Sequence, residues 1–215
     1  MGGPACGGNK TISGDKQLLR WLDYCHSGKN PATGKIGTSV DFITYHWYGN
    51  NSVPIGIKGA ILNARNLAIM HKAVLDELRK NHSWFKGPIF IDEVGPTSRT
   101  PACRDRAATA SWLAKTVHLL NENGPDYPPP DMLAYWTISD LYEEFKNKLD
   151  ILSFQEGNYG MLLRGDASYP NSWDIPKPVF QVYRLLHRLG DFEVKSTGGT
   201  IENGVNAIAT CDSSK

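Results

Sequence analysis

The feature that most constrains the fold of this chain is a repeated alternation of helical and extended patterns. Apolar residues recur at helical spacing in four segments, and extended runs rich in β-branched and aromatic residues follow the first three of them. Such alternation is typical of a parallel sheet whose strands are joined by helical crossovers. The sequence therefore predicts an α/β fold, with helices over 16–25, 57–80, 104–120 and 177–189 and strands over 40–45, 88–91 and 132–138.

Each predicted strand runs into a polar residue at its carboxyl end, namely His46, Glu93 and Asp140. The active site of a (β/α)8 barrel lies at this end of its strands. The placement favours a barrel, and an open parallel sheet remains the alternative topology. Because a complete barrel typically needs about 250 residues, we expect the chain to form only the carboxy-terminal half of a TIM barrel.

The pattern changes after residue 190 to short extended runs punctuated by glycine, at 192–194 and 205–209. This change predicts a second domain of β type. We therefore expect residues 1–190 to form the last strands and helices of the barrel. Residues 191–215 are expected to be the beginning of a β-domain that continues beyond this sequence.

Charge and cysteine content exclude several classes of partner. Lys and Arg number 23 against 22 Asp and Glu, so the net charge of +1 gives no electrostatic reason to expect nucleic acid or a membrane surface as partner. No apolar stretch approaches the roughly 20 residues of a membrane span. The four cysteines form no C-x-x-C pair, which argues against a zinc site and leaves disulfide pairing open.

Two further features bear on ligand and compartment. The six Trp and nine Tyr provide flat apolar faces of the kind that bind sugars, although many of them are expected to fill the core. The amino terminus lacks the pattern of a signal peptide. Acceptor triplets for N-glycosylation begin at Asn9 and Asn81. We expect a lysosomal or extracellular protein on this last ground.

The strand that contains Ile89 and Ile91 ends in two adjacent acids, Asp92 and Glu93. Regular alternation along a strand predicts that their side chains point to opposite faces, so that only one faces the barrel axis. We assign Glu93 to that inner position, where chemistry takes place in barrels. Asp92 is expected to cap the following helix or to pair with a surface base, and a structural ion pair is the alternative role for Glu93.

Several segments together resemble glycoside hydrolase family 39, which contains β-xylosidases and α-L-iduronidases. The most specific is the block Tyr-Trp-Thr-x-Ser-Asp-x-x-Glu-Glu at 135–144, and the resemblance extends in the family's order from residue 2 to about 191. The other segments are Gly-Gly-Pro-Ala at 2–5, the run from Val40 to Tyr48, Ile-Asp-Glu at 91–93 and Ile-Pro-Lys-Pro-Val at 175–179.

The resemblance implies a (β/α)8 barrel with an appended β-sandwich, and a retaining hydrolase that needs no cofactor and no metal. It implies that Glu93 is the nucleophile. The family's acid/base glutamate belongs to an Asn-Glu pair that precedes the Gly-Gly-Pro segment, and this sequence begins at that segment. We therefore expect the acid/base to be absent from these residues and the isolated chain to lose most turnover.

The candidate substrate-binding residues follow from the same placement and resemblance. His46 and Tyr48, two residues further on, are expected to contact the sugar or the nucleophile, and Trp136 is expected to form a stacking surface. Structural roles are the alternatives for each of these residues. An acidic cluster at the end of the third strand is expected to bind sugar hydroxyls, with a solvated loop as its alternative, and it consists of Asp140, Glu143 and Glu144.

The expected substrate is an oligosaccharide or a glycoside, and the sequence favours xylosidase-like hydrolysis of a neutral terminal sugar. Acidic residues at 143–144 would repel a sugar carboxylate, and His46 and Tyr48 stand where an iduronidase would place basic residues. The insertion at 28–34 and the basic Arg164 favour an iduronidase-like enzyme acting on glycosaminoglycans instead. A third alternative is a carbohydrate-binding fragment without catalysis. An oligomer is compatible with the sheet edge that missing strands would leave open.

Overall fold

A computed structural model defines the fold over most of the chain. The residues that it describes are 1–7, 11–12, 14–49, 63–97, 105–139, 160–163, 175–194 and 207–213. Their elements in chain order are β1 (Gly2–Gly7), α1 (Gln17–Ser27), β2 (Phe42–Tyr48), α2 (Arg65–Asn81), β3 (Ile89–Gly95), α3 (Ala107–Asn121), β4 (Met132–Tyr135), β5 (Leu162–Leu163), β6 (Ile175–Pro176), α4 (Pro178–Leu186), β7 (Phe192–Val194) and β8 (Ala209–Cys211).

The chain divides into two compact units. The first consists of Met1–Arg99 and Leu119–Thr137, and the second of Thr100–His118 and Ile138–Lys215. The first unit contains a four-stranded sheet in the order β1-β2-β3-β4, in which every neighbouring pair is parallel. The predicted α/β fold with a parallel sheet is therefore confirmed.

The sequence-based boundaries are close for the helices and less close for the strands: β2 and β3 end three and four residues later than predicted, and β4 ends three residues earlier. The first and third helices begin and end within three residues of their predicted limits, and α2 begins at Arg65 among the described residues. The strand β1 was not predicted, because three glycines and a proline give its segment little intrinsic preference for extended structure. Its extended form depends on pairing with β2, which is a tertiary contact.

One face of the sheet is buried in the core, and Tyr45 on this face contacts His71 of α2. Three consecutive inter-strand pairs on this face are buried, and burial of each such aliphatic or aromatic side chain stabilises the fold by about 1.5–3 kcal/mol. They are Ile43 with Ile89, Tyr45 with Ile91, and Trp47 with Val94. We call this the outer face. The opposite, inner face carries Phe42, whose ring contacts Phe90 at a centroid distance of 5.3 Å.

A buried histidine joins the outer face to two other segments. His71 on α2 is completely buried, with Nδ1 at 2.8 Å from the Tyr45 hydroxyl and Nε2 at 2.9 Å from the carbonyl oxygen of Pro128. A carbonyl oxygen only accepts, so Nε2 carries the proton and Tyr45 donates to Nδ1. Burial lowers the pKa of His71 below its ordinary value, because desolvation penalises the cation.

Glycines in β1 allow rings of β2 to lie directly over its backbone on the inner face. A side chain at Gly2 would overlap the ring of Phe42, and one at Gly7 would overlap the ring of His46. An extra residue, Ala5, interrupts the pairing of β1 with β2, because Pro4 pairs with Thr44 and Cys6 already pairs with Tyr45. The backbone N–H of Ala5 donates to the Thr44 hydroxyl at 2.9 Å.

The second unit contains α4 and two small antiparallel pairs, β5 with β6 and β7 with β8. Lys177, next to the start of α4, is buried, and its Nζ lies 2.5 Å from Oδ1 of Asp105. The pair β7–β8 falls within the segment expected to begin a β-domain. The boundary at residue 190 stays a prediction.

Two sequence-based questions are answered for the described part of the chain. No helix there is long and apolar enough to cross a membrane. Cys6, Cys25 and Cys211 are free thiols, the first two of them buried. Cys103 lies outside the described residues.

Candidate functional site

The register of β3 contains one extra residue at the predicted site. Tyr45 pairs with Ile91, and the next residue of β2, His46, already pairs with Glu93. On the β4 side, Ile91 pairs with Leu133 and Val94 pairs with Tyr135, so an advance of three residues in β3 matches an advance of two in β4. Both neighbours therefore show the bulge. A β-bulge re-aims side chains locally, and bulges are frequent beside active sites.

The bulge makes one sequence-based prediction wrong. Asp92 and Glu93 were expected to point to opposite faces, yet Asp92 lies 3.8 Å from His46 and Glu93 accepts a hydrogen bond from Tyr48. His46 and Tyr48 are two residues apart on β2 and share its inner face. The two acids therefore act on the same face of the sheet. Glu93 takes the inner position assigned to it, and Asp92 joins it there.

Glu93 is the residue around which the site is organised. The Tyr48 hydroxyl donates to Oε1 of its carboxylate, and the Tyr48 side chain is itself buried. A hydrogen bond to an ionised acceptor is about twice as strong as a neutral one. This bond stabilises the carboxylate and orients it. The site thus presents a half-buried carboxylate of defined geometry near the carboxyl end of a parallel strand.

His46 lies between the two acids and β1. Its Nδ1 is 3.8 Å from Oδ1 of Asp92, and its opposite ring edge, with Cδ2 and Nε2, lies over the backbone of Gly7. Asp92 raises the pKa of His46 above its ordinary value; partial burial opposes the rise, and the negative charge of Glu93 adds to it. His46 therefore keeps its proton to a higher pH than an ordinary histidine does.

Trp136 follows β4 directly and is held to β3 by its backbone. Its N–H donates to the carbonyl oxygen of Val94 at 2.9 Å, and its peptide bond to Thr137 is cis. The residue is half-buried, so part of its surface is open to solvent. This position, directly after the strand that neighbours β3, is compatible with the stacking role expected for Trp136.

The other expected contacts with sugar cannot be placed in this way. Asp140, Glu143, Glu144 and Arg164 lie outside the described residues, and their roles stay predictions. Sequence reasoning missed two residues that the structure brings to the site, namely Asp92 and Gly7. The bulge could have been detected from the spacing of the apolar residues at 89, 91 and 94, which changes from two to three. No signal in the sequence marked Gly7.

Fold and site together define a class of protein. A parallel sheet in sequential strand order, with a carboxylate, a phenol hydroxyl and an imidazole near the carboxyl ends of its strands, is typical of repeated β/α proteins whose active sites lie at that edge. The family model for glycosyl hydrolases family 39 matches residues 1–215, and the chain belongs to this family. The resemblance inferred from sequence motifs is confirmed.

Individual relatives are similar over most of this chain. A protein of Geobacillus stearothermophilus named β-xylosidase is 26% identical over 200 residues, which cover 89% of this chain and 33% of the relative. The solved structure of a monomeric β-xylosidase from Caulobacter crescentus CB15 superposes with a TM-score of 0.57 at 18% identity, over 89% of this chain and 34% of that one.

A further solved structure has a TM-score of 0.64 at 20% identity, over 88% of this chain and 30% of that chain. Its description names it the bacterial orthologue of human α-L-iduronidase. At these identities the structural likenesses show a shared fold. The chain spans about a third of the length of the relatives it matches.

Proposed function

We propose that this chain is the part of a retaining O-glycosyl hydrolase that carries the nucleophile, Glu93, and that the enzyme removes terminal neutral sugars in the manner of a β-xylosidase. The observation that carries the proposal is the Glu93 carboxylate, oriented by Tyr48 on the inner face of the sheet. Family membership supports the reaction type. The relative named β-xylosidase supports the sugar class.

We propose further that the four-stranded sheet is an arc of a (β/α)8 barrel. Its strands follow one another in chain order, whereas a doubly wound sheet reverses its strand order at a switch point. In an arc of this kind, the inner face looks toward the barrel axis and the carboxyl ends of the strands form the site. Both properties apply to the position of Glu93.

The proposed reaction takes place in two steps. An oxygen of the Glu93 carboxylate attacks the anomeric carbon, the bond from that carbon to the leaving oxygen breaks, and a second carboxylic acid gives its proton to the leaving oxygen. Water then attacks the glycosyl-enzyme and loses its proton to the second carboxylate, which restores Glu93. In the proposed enzyme this second carboxylate is the family's Asn-Glu glutamate. The two groups are expected about 5–5.5 Å apart.

Charge around Glu93 favours a neutral sugar over a uronic acid. The contacts of the described residues bring Asp92 and Glu93 to one face, together with one ionisable base, His46. A sugar carboxylate would meet two negative charges with a single cationic partner, and carboxylates usually require Arg or Lys. The insertion at 28–34, which favoured iduronidase, lies between α1 and β2. It therefore lies toward the amino-terminal ends of the strands, whereas the site lies near their carboxyl ends.

Covalent labelling with an activated fluorinated glycoside tests the proposal. Fluorine at C2 of a xyloside disfavours the oxocarbenium-like transition state and slows both steps. A dinitrophenolate leaving group departs without a proton, so the first step does not depend on the general acid. We expect the 215-residue chain to gain one glycosyl group, located by proteolysis and mass spectrometry on the peptide containing Glu93.

Two variants make the test decisive. Glu93→Gln keeps the shape of the side chain and can still accept the Tyr48 hydrogen bond, so the chain should fold but take up no label. Glu77→Gln alters a half-buried glutamate on α2 that contacts Asn81, and it should label like the parent. A chain that melts cooperatively but stays unlabelled, or that is labelled on another acid, would contradict the proposal. Faster labelling by the matching iduronide would overturn only the sugar class.

A further inference from the structure

Asp92 is an additional carboxylate on the inner face that the proposed reaction does not use. It is the extra residue of the β3 bulge. Its Oδ1 is buried and, among the residues that the structure describes, has no hydrogen-bond partner. A buried acceptor without a partner costs about 1–3 kcal/mol, and more if it is charged. The ion pair with His46 Nδ1 at 3.8 Å therefore offsets a substantial penalty.

His46 is confined on two sides. Asp92 lies at its Nδ1, and the backbone of Gly7 lies under the edge that carries Nε2. Within the described ranges, Asp92 provides the polar contact of the ring. Since the bond made by one imidazole nitrogen determines the protonation of the other, the position of Asp92 determines how Nε2 is presented.

The two acids place like charges on one face of the sheet. Adjacent carboxylates repel each other, and a cation beside them reduces that repulsion. On β2, the titratable neighbours on this face are His46 and Tyr48. Both face Asp92 and Glu93, which lie on β3. From β1 the titratable group is the buried thiol of Cys6, whose pKa is raised mainly by burial. Protonation of His46 would supply a positive charge beside this cluster.

We propose that Asp92 is a positioning residue that holds the His46 imidazole through Nδ1, fixing the ring beside Glu93 and leaving Nε2 for a hydroxyl group of the ligand. The identity of that ligand as a sugar rests on the proposed function. The positioning of His46 by Asp92 does not rest on the proposed function, because it follows from the bulge, the ion pair and the packing over Gly7.

Nuclear magnetic resonance of the His46 ring nitrogens tests the hold directly. In the unaltered chain, neutral His46 should carry its proton on Nδ1, the nitrogen nearest the Asp92 carboxylate. In Asp92→Asn, His46 should become neutral at a lower pH, because the carboxylate that stabilises the cation is gone. His46→Gln identifies the resonance. An Nε2-protonated neutral ring in the unaltered chain would overturn the proposal without any variant having to fold.

The chain offers a matched control. Asp23 Oδ1 lies 3.8 Å from His82 Nδ1, the same separation as in the pair of Asp92 with His46, but on α1 and away from the site. Asp23→Asn should leave the titration of His46 unchanged. An equal shift of His46 in both variants would mean that a general change of charge, and not the Asp92 contact, is responsible.

Labelling kinetics separate positioning from simple structural support. A ring misplaced by about 1 Å typically costs about a hundredfold in rate. In Asp92→Asn we expect the maximal labelling rate to fall roughly ten- to a hundredfold, with a smaller change in half-saturating concentration. Asp92→Glu, which retains the charge, should recover part of the rate. If the chain with Asp92 intact is not labelled at all, the proposed function fails while the titration result stands. An unshifted His46 removes the positioning role even if labelling occurs.

Discussion

Replacement of Gly7 by alanine should disable the site without unfolding the sheet. The added Cβ would fall within the ring of His46, on the Cδ2 and Nε2 edge. Non-bonded heavy atoms reach their optimal separation at about 3.5–4.0 Å. The ring must therefore move by roughly 1 Å or more, and movement away from β1 pushes it toward Asp92 and Glu93.

The expected magnitudes differ for activity and stability. A displacement of about 1 Å at a positioning group costs about a hundredfold in rate, so the labelling rate of Glu93 should fall by about that factor. Overpacking of a filled site typically costs about 1–3 kcal/mol. Because His46 is only half-buried and can yield toward solvent, we expect the lower end of that range for the free energy of unfolding.

Labelling with the fluorinated xyloside and urea denaturation measure the two quantities in the same samples. Gly34→Ala is the control, since a Cβ there has no atom within 4 Å and its φ of +71° lies in the left-handed region. It should lose about 1–2 kcal/mol of stability through backbone strain and none of the labelling rate. A Gly7→Ala chain that is labelled at the parent rate would refute the role of Gly7 in placing His46.

Three further predictions concern other parts of the chain. Burial lowers the pKa of His71, so the stability that this residue contributes is present above about pH 6.5. It is lost as the pH falls below that value, by up to about 1.4 kcal/mol per pH unit. In urea melts, His71→Gln should lack this dependence of stability on pH, and an equal dependence in the parent and the variant would contradict the prediction. Lys177→Met removes the ion pair of the buried Lys177 with the largely buried Asp105 and should cost about 3 kcal/mol in thermal or urea unfolding. Much of that loss should be recovered by also changing Asp105→Asn, and a loss below about 1 kcal/mol would show the pair to be unimportant. If the protein enters a secretory compartment, Asn81, which is exposed at the end of α2, should carry a glycan. The mass shift on enzymatic deglycosylation should be smaller by one glycan in Asn81→Gln and unchanged in an Asn121→Gln control, and unmodified Asn81 in secreted protein would contradict the prediction.

The helices could be predicted because their signals are local. The residues of α1 that were expected to share a face, Leu18, Leu19, Leu22 and Cys25, are all buried. Propensity failed for β1, where pairing with β2 overrides a sequence rich in glycine. That strand holds no local information about its neighbour, so no reading of its own residues would have found it.

The candidate site was predictable in identity and not in arrangement. Placement at a strand end and the family resemblance led to Glu93, His46 and Tyr48, which the structure brings together. Counting alternate residues failed at Asp92, because a single inserted residue reverses the side-chain direction of everything after it. The change of apolar spacing at 89, 91 and 94 marks the shift, but the contacts that it produces depend on the partner strands.

Because rings of β2 lie over Gly2 and Gly7, the evolutionary change of residues in β1 is coupled to that of residues in β2. The space that side chains at these positions would fill belongs to Phe42 and His46 of the neighbouring strand. A homologue with a larger residue at either glycine must therefore carry a smaller partner at 42 or 46. Because 46 belongs to the candidate site, only the pair of Gly2 and Phe42 is free to change in this compensating way. Among related sequences, position 2 should covary with position 42, whereas positions 7 and 46 should be lost or kept together with the activity.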